Sequence, residues 1–372
     1  MTNLEMFYFA GKCLSMDEQT GFREEIIQKI DDDDIDWAHF VHLCSNHLIL
    51  PVIYLKFKAH KLIEHLPGEL AEFLKEIYDL NLARNEQILL QINDIVKLLN
   101  ANDIYPTFLK GTGNLLDGLY SDKGERMIGD IDFLVPEKDY LKTARLLEDD
   151  GYYIDSEFYG NILIEIHYPI LFKPDVPAMV EVHRLIVPKK YGKKFEKGAI
   201  EKKVETLGDA GFYSVLVDHD NITLNFIHSQ LSHKGDLNGI VSFRDIYDLY
   251  LILKRVGMPL SLNEIPFKGK AITYLVFAGK ALGLPLRFYQ NETCAAKIFE
   301  IKHSLNYNSP VFYKTYNTFV FLCDKIFRGY LGRGLKSLYS QNERRIIIDC
   351  LCNRQWYSYH FKIYKTFFKP VK

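Results

Sequence analysis

The sequence has little of what marks several classes of protein. Six cysteines are spread over 372 residues, without the paired spacing of a zinc site or the density of a disulfide framework, which fits a reducing cytoplasm. The one close pair, Cys350 and Cys352, lacks the further neighbours that a redox or metal site would need. With 13 prolines and 23 glycines, the composition is neither collagen-like nor that of a disordered chain.

Long apolar runs and an excess of charge of one sign are also missing. No run approaches the ~20 residues of a membrane-spanning helix, and the amino terminus lacks the basic start and apolar core of a secretion signal. The formal net charge of −2 excludes a whole-molecule attraction to nucleic acid or to an acidic membrane. We therefore expect a cytoplasmic protein with no membrane association and no stable binding of duplex DNA.

What is present is the composition of a globular protein, 48% hydrophobic and 25% charged, with a length that suits two or three domains. Apolar residues recur at helical spacing from residue 22 to about residue 99, which predicts a helical N-terminal region. The acidic run at residues 31–34 precedes one of these helices and is typical of a solvated helix start.

The last part of the chain is basic and aromatic. Residues 301–372 hold 13 Lys or Arg against 3 Asp or Glu, together with 16 aromatic residues, whereas the first 300 residues hold 33 basic and 45 acidic residues. This interleaving occurs where proteins grip single-stranded nucleic acid or phosphates, and also in helical subdomains that pack on the rest of a protein. We favour the helical subdomain, whose charge would also attract an anionic nucleotide.

A mixed α/β segment lies between the helical regions. Residues 103–111 are typical of a short strand that ends in glycine, followed by a brief helix from about Asn114 to Tyr120. Residues 130–135 predict a second strand, and residues 137–150 predict a helix. Further strand-like runs, separated by Gly, Pro and Asp, follow before helical periodicity returns.

The second strand carries the strongest chemical signal. Asp130 and Asp132 share one face of it because strand side chains alternate, while Ile131, Phe133 and Val135 point into the core. Two carboxylates two residues apart on a rigid strand can ligate one or two Mg²⁺ ions, the cations that accompany nucleotide phosphates. The alternative is an exposed strand edge.

The turn after the first strand strengthens the phosphate interpretation. The segment FLKGTGN, residues 108–114, runs from a strand through small residues into a helix, and the free N–H groups at a helix start can hold a triphosphate. Gly111 allows close approach of the backbone, Thr112 could contribute a hydroxyl, and Lys110 could contribute a charge or face solvent. The glycines do not match a dinucleotide-binding fingerprint.

These segments together resemble a known family. The strand, the LKG turn, the short helix ending in Tyr120, the segment RMIGDIDFLV at residues 126–135 and the helix ending before Gly151 resemble the uncharacterised nucleotidyltransferase branch of the DNA polymerase β-like superfamily. The resemblance is clearest over residues 103–187. It implies a small mixed-sheet core with a third carboxylate on a neighbouring strand.

Two strand segments offer that third carboxylate. Glu165-Ile-His167 and Glu181-Val-His183 each place a Glu and a His on one strand face. Glu181 is the choice, because VEVHR at residues 180–184 resembles the family's acidic-apolar-His segment, and Glu165 is the alternative.

The mechanism implied by the resemblance is attack of an acceptor hydroxyl on the α-phosphorus of a bound NTP, with release of pyrophosphate. Asp130 and Asp132 would hold Mg²⁺, or Mn²⁺, and Glu181 would bind a second ion and take the proton of the acceptor. Arg126 could neutralise phosphate charge as a planar fork or form an ion pair that holds its loop. His183 would orient Glu181 or contact the substrate.

Two other functions stay open. His167 and His183 could join Asp130 and Asp132 in a metal-dependent hydrolase, since imidazole with carboxylate suits zinc, iron or manganese. Alternatively, a degenerate member of the family could bind a nucleotide or a protein partner without catalysis.

The helices after the core carry further polar residues. His228 and His233 lie five apart, which in an α-helix places them off one face and argues against a shared metal ion. Asp245 and Asp248 follow Arg244 on the next helix and are most simply interpreted as its ion-pair partners.

The sequence therefore predicts an α+β enzyme with its active site in a cleft between a polymerase-β-like core and C-terminal helices. The predicted regions are residues 1–100 (helical), 101–215 (nucleotidyltransferase core) and 216–372 (helical, basic and aromatic-rich). The substrates would be an NTP such as ATP and an acceptor that is a small molecule, a peptide, a protein or an RNA end.

Overall fold

The structure is a computed structural model that describes residues 1–154, 166–195, 202–206, 211–257, 265–284 and 292–354, with residues 357, 358 and 361. Glu165, the alternative third carboxylate, lies outside the described residues.

The N-terminal part of the chain is helical, as its apolar spacing predicts. Its helices are α1 (Asn3–Leu14), α2 (Thr20–Asp31), α3 (Trp37–Asn46), α4 (Leu50–Ala59) and the 33-residue α5 (Gly68–Asn100), with 3₁₀ turns at Met16–Glu18 and Ile63–His65. The acidic run begins at Asp31, the last residue of α2. The carboxylate of Asp36 caps α3 by accepting a hydrogen bond from the His39 N–H at 3.0 Å.

The middle of the chain forms a mixed sheet with helices beside it. Its elements are β1 (Thr107–Phe108), α6 (Lys110–Leu116), β2 (Asp130–Leu134), a 3₁₀ turn (Glu137–Asp139), α7 (Tyr140–Asp149), β3 (Tyr153–Ile154), β4 (Leu171–Phe172), β5 (Met179–His183), α8 (Lys189–Phe195), β6 (Lys202–Thr206) and β7 (Phe212–Leu216). The strand order is β3-β4-β5-β2-β1-β7-β6. Strand β2 is antiparallel to β1 and parallel to β5, and β1 is parallel to β7. This mixed sheet between helical regions confirms the predicted α+β class.

The rest of the described chain is helical. Its elements are α9 (Asp218–Phe226), a π-helical turn (Ile227–Ser232), α10 (Gly235–Asn238), α11 (Phe243–Val256), α12 (Lys268–Ala281), α13 (Cys294–Asn308), α14 (Pro310–Cys323), a second π-helical segment (Asp324–Leu331), α15 (Gly332–Ser337) and α16 (Gln341–Cys352). Among the described helices, none combines the length and the apolar character that crossing a membrane requires.

Two hydrophobic cores lie on one long helix. The first half of α5 buries Leu70 and Leu74 in a helical core, and its second half buries Ile88, Ile92 and Leu99 in a second core under the sheet. Because one rigid helix belongs to both, it fixes the sheet relative to the helical layer.

The helical core is built from helices that precede and follow the sheet in the chain. Phe7 of α1 stacks on Phe243 of α11 with ring centroids 4.3 Å apart, and the Ser15 hydroxyl donates to the Leu282 carbonyl at 2.6 Å. The N-terminal and C-terminal helices therefore form one layer that faces the sheet. The boundaries at residues 100 and 215 stay a prediction.

Candidate active site

The acidic pair lies on the central strand β2, next to β5. In the parallel register of these strands, Asp132 is opposite Glu181. Ile131 and Phe133 are fully buried in the core on the other face. The alternation predicted for this segment thus places the carboxylates of β2 and β5 on one side of the sheet.

The side chains of Asp132, Glu181 and His183 converge on this side of the sheet. The ring nitrogen Nε2 of His183 lies 2.8 Å from Oδ1 of Asp132 and 3.4 Å from Oε2 of Glu181. One ligand atom from each of the three residues can be chosen so that all lie within 4.8 Å of one another, as a metal site requires. With two carboxylates as neighbours, Nε2 carries the proton and donates to Asp132. Asp130 precedes this group by two residues on the same face and lines the same cavity.

Lys110 supplies the positive charge of the group. Its Nζ lies 2.6 Å from Oδ1 of Asp132 and 3.8 Å from Oε2 of Glu181, a position between two carboxylates that a metal cation would also favour. The backbone of Lys110 is left-handed, with φ of 52°, at the point where the chain turns from β1 into α6. Such a conformation is strained for a residue other than glycine and is held only where surrounding contacts fix it.

Hydrogen bonds from the start of α6 fix this turn against β2. The Leu109 N–H donates to the Asp132 carbonyl at 2.9 Å, and the Thr112 hydroxyl donates to the Asp130 carbonyl at 2.8 Å. A Cβ atom at Gly113 would lie 2.7 Å from the Phe108 carbonyl oxygen, so only glycine fits there. The helix begins at Lys110, four residues before the predicted start near Asn114, and the Thr112 hydroxyl supports the strand.

Burial and charge set different pKa values for the two aspartates. Burial and the neighbouring charge of Asp132 raise the pKa of Asp130. Burial alone would also raise the pKa of Asp132, but the Lys110 charge and the hydrogen bond from His183 outweigh it and hold that pKa well below the usual range. Burial would lower the pKa of His183, and its hydrogen bonds to Asp132 and Glu181 reverse the effect and raise it.

Arg126 forms a buried ion pair with Asp248 of α11. Its Nε donates to Oδ1 of Asp248 and its Nη2 donates to Oδ2, both at 3.0 Å, and the Tyr120 hydroxyl donates to the same carboxylate at 2.9 Å. The expected pairing of Asp248 with Arg244 is therefore wrong, because Asp248 points to the loop before β2. This geometry supports the interpretation of Arg126 as a residue that holds its loop.

Sequence reasoning missed the polar face of α5. Asn81 and Asn85 both donate to the Arg126 carbonyl, at 3.2 and 2.7 Å, and Arg84 donates to the carbonyls of Ile128 and Gly129. These three residues lie at helical spacing on one face of α5. Their hydrogen bonds hold the loop that leads to the acidic strand. Asn81 and Asn85 are almost fully buried, and this spacing of polar residues was the signal in the sequence.

A cavity of about 400 Å³ opens in front of the carboxylates. Its sheet side includes Asp130, Asp132, Glu181 and His183, and its helical side includes Asn221, Asn225, His228, His233 and Arg244. His167 also lines it, with its ring centroid 5.2 Å from that of His183 and its Nδ1 donating to the Tyr168 carbonyl at 2.7 Å. The site thus lies where the sheet faces the C-terminal helices.

The predicted separation of His228 and His233 is wrong. Their ring centroids are 4.2 Å apart, because the chain from Ile227 to Ser232 is π-helical and a π-helix brings residues five apart onto one face. Burial, followed by the charge of Lys110, lowers the pKa of His228 to about 3, and burial also lowers the pKa of His233. Both imidazoles are therefore neutral at pH 7.

Comparison with known proteins identifies the family. The sequence pattern of the uncharacterised nucleotidyltransferase family matches residues 33–289, more than half of the chain, and the protein belongs to that family. The resemblance found in the sequence is confirmed at this level.

Among solved structures, an antigenic nucleotidyltransferase-like protein from Paracoccidioides brasiliensis aligns with 54% of this chain and 94% of its own, at 14% identity and a TM-score of 0.37. At that score the alignment bears on neither fold nor function. No protein of curated function matches the chain significantly.

Proposed function

We propose that the protein is a Mg²⁺-dependent nucleotidyltransferase, also able to use Mn²⁺, that moves a nucleoside monophosphate from an NTP such as ATP to a hydroxyl acceptor. The observation that carries the proposal is the placement of Asp130, Asp132 and Glu181 on adjacent strands at one cavity, beside the start of α6. Membership of a nucleotidyltransferase family supports the NTP as substrate.

The donor set suits the divalent ion that such chemistry needs. Asp132 and Glu181 offer carboxylate oxygens, the ligands that Mg²⁺ prefers, and an ammonium group already lies between them at Lys110. Asp130, Asp132 and Glu181 would hold the metal, with His183 orienting the carboxylates by its hydrogen bond to Asp132. When bound, the metal would neutralise phosphate charge and favour ionisation of the acceptor hydroxyl.

The residues of the chain have separate roles in this reaction. The acceptor oxygen forms a bond to the α-phosphorus, the bond to the β-phosphate oxygen breaks, and pyrophosphate leaves. Glu181, which is partly exposed to the cavity, takes the proton of the acceptor hydroxyl. Lys110 and the backbone at Gly111, which line the cavity, would contact phosphate oxygens. The ion pair of Arg126 and the hydrogen bond of Thr112 keep the loop and β2 in position.

One observation favours a second candidate function. His183 belongs to the convergent group with Asp132 and Glu181, and a mixed carboxylate and imidazole set also suits manganese, zinc or iron. His167 lies beside it at the cavity. A metal-dependent hydrolase is therefore the alternative.

The test is incubation with labelled NTPs, Mg²⁺ and a panel of acceptors, with the protein itself included as an acceptor. We expect pyrophosphate release and transfer of label, both abolished by Asp130→Ala/Asp132→Ala. The matched control is Asp32→Ala/Asp34→Ala, which removes two exposed aspartates at the same spacing and leaves the activity unchanged.

The two alternatives give different results. Phosphate release that depends on zinc or manganese, with no label transferred and with loss in His183→Ala, assigns the hydrolase. Tight nucleotide binding without turnover across the panel assigns a noncatalytic binding protein.

A further inference from the structure

Among the residues that the structure describes, one cation of the cavity makes no hydrogen bond with its side chain. The cationic side chains that line it in the described part of the chain are Lys110, Arg126 and Arg244. The first two are already paired, with Asp132 and Asp248. In the described ranges, the closest carboxylate oxygen to Arg244 is Oδ1 of its neighbour Asp245, 3.8 Å from Nε and beyond hydrogen-bond distance.

The guanidinium of Arg244 is therefore short of acceptors. Its Nε is buried and has no hydrogen-bond partner among the described residues. Asp245 holds this side chain by charge alone and uses none of its five N–H donors. A buried donor without a partner is costly, so the site favours a ligand that brings an acceptor oxygen.

Two neutral imidazoles lie near this guanidinium. No hydrogen bond joins the rings of His228 and His233 to another group in the described ranges, and both rings line the cavity. Burial is the main cause of their lowered pKa values. The charges of Lys110 and Arg244 act in the same direction, against the charges of Asp132 at His228 and of Asp245 at His233. Each ring consequently offers one N–H donor and adds no charge.

Each amide on the same wall already donates one hydrogen bond. Asn221 donates to the Oδ1 of Asn114 at 2.6 Å, and Asn225 donates to the Asp245 carbonyl at 2.9 Å. Asn225 also accepts from the Tyr274 hydroxyl at 3.1 Å. The donors of this wall without a hydrogen-bond partner among the described residues thus include a planar cation and two neutral imidazole N–H groups, a set that recognises an anion with several oxygens.

We propose that Arg244, His228 and His233 form an anion subsite that binds the terminal phosphates of the nucleoside triphosphate. This inference rests on the proposed function. The α-phosphate would lie at the carboxylates of the sheet, and the β- and γ-phosphates would extend toward the helical wall. A cavity of about 400 Å³ is within the range that holds a ligand of nucleotide size. Asp130 and Arg244 line the same cavity, so the subsite opens onto the reacting centre.

The test measures binding of inorganic pyrophosphate by calorimetry in EDTA, where no metal contributes. We expect the wild-type protein to bind it and Arg244→Gln to weaken binding about 10- to 100-fold, as loss of a charge-assisted contact predicts. Arg244→Lys keeps part of the affinity. The control is Arg145→Gln on α7, an exposed arginine outside the cavity. Thermal melting of each variant establishes that it is folded.

Nucleoside monophosphates provide the second arm, because they lack the terminal phosphates. Arg244→Gln should bind the nucleoside monophosphates with the affinity of the wild type. Its affinity for the nucleoside triphosphates should fall. Equal losses for monophosphates and triphosphates would assign Arg244 to the α-phosphate or to an anionic acceptor and overturn the proposal. Absence of pyrophosphate binding by the wild type, or unchanged binding by Arg244→Gln, would also overturn it.

The proposed function is scored separately by titration of Mn²⁺ into the wild type and Asp130→Asn/Asp132→Asn. Absence of a Mn²⁺ site that depends on these aspartates refutes the metal-dependent reaction. The effect of Arg244→Gln on pyrophosphate binding can still be interpreted, because that binding is measured without metal.

Discussion

Replacement of the buried pair Arg126 and Asp248 tests what holds the loop before β2. The perturbation is a double-mutant cycle of Arg126→Met, Asp248→Leu and the combination. Of the hydrogen-bond partners in the described part of the chain, the Asp248 carboxylate keeps the Tyr120 hydroxyl in Arg126→Met, and the guanidinium keeps the Met127 carbonyl in Asp248→Leu. Each single change thus leaves one uncompensated charge in the interior.

The magnitude follows from the burial of the two side chains. They are 8% and 5% exposed, so solvent screens the pair little. Burial would lower the pKa of Arg126, and the adjacent Asp248 more than offsets this and raises it, as expected for a stabilised cation. Removing one partner of such a pair costs about 3–5 kcal/mol, whereas replacing both with apolar residues of similar volume is often neutral or stabilising.

The assay is urea unfolding followed by far-ultraviolet circular dichroism. We expect a coupling energy of at least about 3 kcal/mol, with the double variant close to the wild type in its unfolding midpoint. A coupling energy below about 1 kcal/mol, with both single variants near the wild type, would refute the reasoning. The affinity of the stable double variant for pyrophosphate is then measured by calorimetry. An affinity equal to that of the wild type supports the role of Arg126 in holding the loop. A tenfold loss of affinity would instead assign Arg126 to phosphate binding.

Two further predictions concern charge at and away from the site. Lys110→Met should raise the affinity for Mn²⁺ about tenfold in a calorimetric titration. The reason is that the ammonium group, 2.6 Å from Asp132 and 3.8 Å from Glu181, no longer competes with the metal ion. Weaker Mn²⁺ binding by the variant would contradict this. Burial lowers the pKa of His303 to about 4, so the unfolded chain takes up its proton first as the pH falls below about 6.5, and stability is lost. His303→Phe should reduce the loss of unfolding free energy between pH 7 and pH 5 by about 2 kcal/mol, and parallel curves for the two proteins would exclude it.

Local sequence pattern was enough to predict the helices and strands around the acidic pair and part of the candidate site. Alternation in the segment around Asp130 predicts which side chains face the core, and the structure buries Ile131 and Phe133 accordingly. The start of α6 at Lys110 escaped prediction because it depends on a left-handed residue and on hydrogen bonds from Leu109 and Thr112 to β2. Such bonds join segments that are distant in sequence.

Helical periodicity also misled at one point. Residues five apart are off one face only when the helix is an α-helix, and the π-helical turn Ile227–Ser232 brings His228 and His233 together. The apolar pattern of this segment does not distinguish an α-helix from a π-helix. Because the sequence did not show that the two histidines lie together, it could not suggest the anion subsite.

The sequence by itself determined the helical regions, the mixed-sheet core and its family, because hydrophobic period and short motifs act over a few residues. Only the tertiary structure decided which charged side chains pair: Lys110 lies between Asp132 and Glu181, and Asp248 lies opposite Arg126. Arg126 and Asp248 are 122 positions apart in the chain. Contacts at such separations depend on how two cores pack against one long helix, and no local pattern encodes that packing.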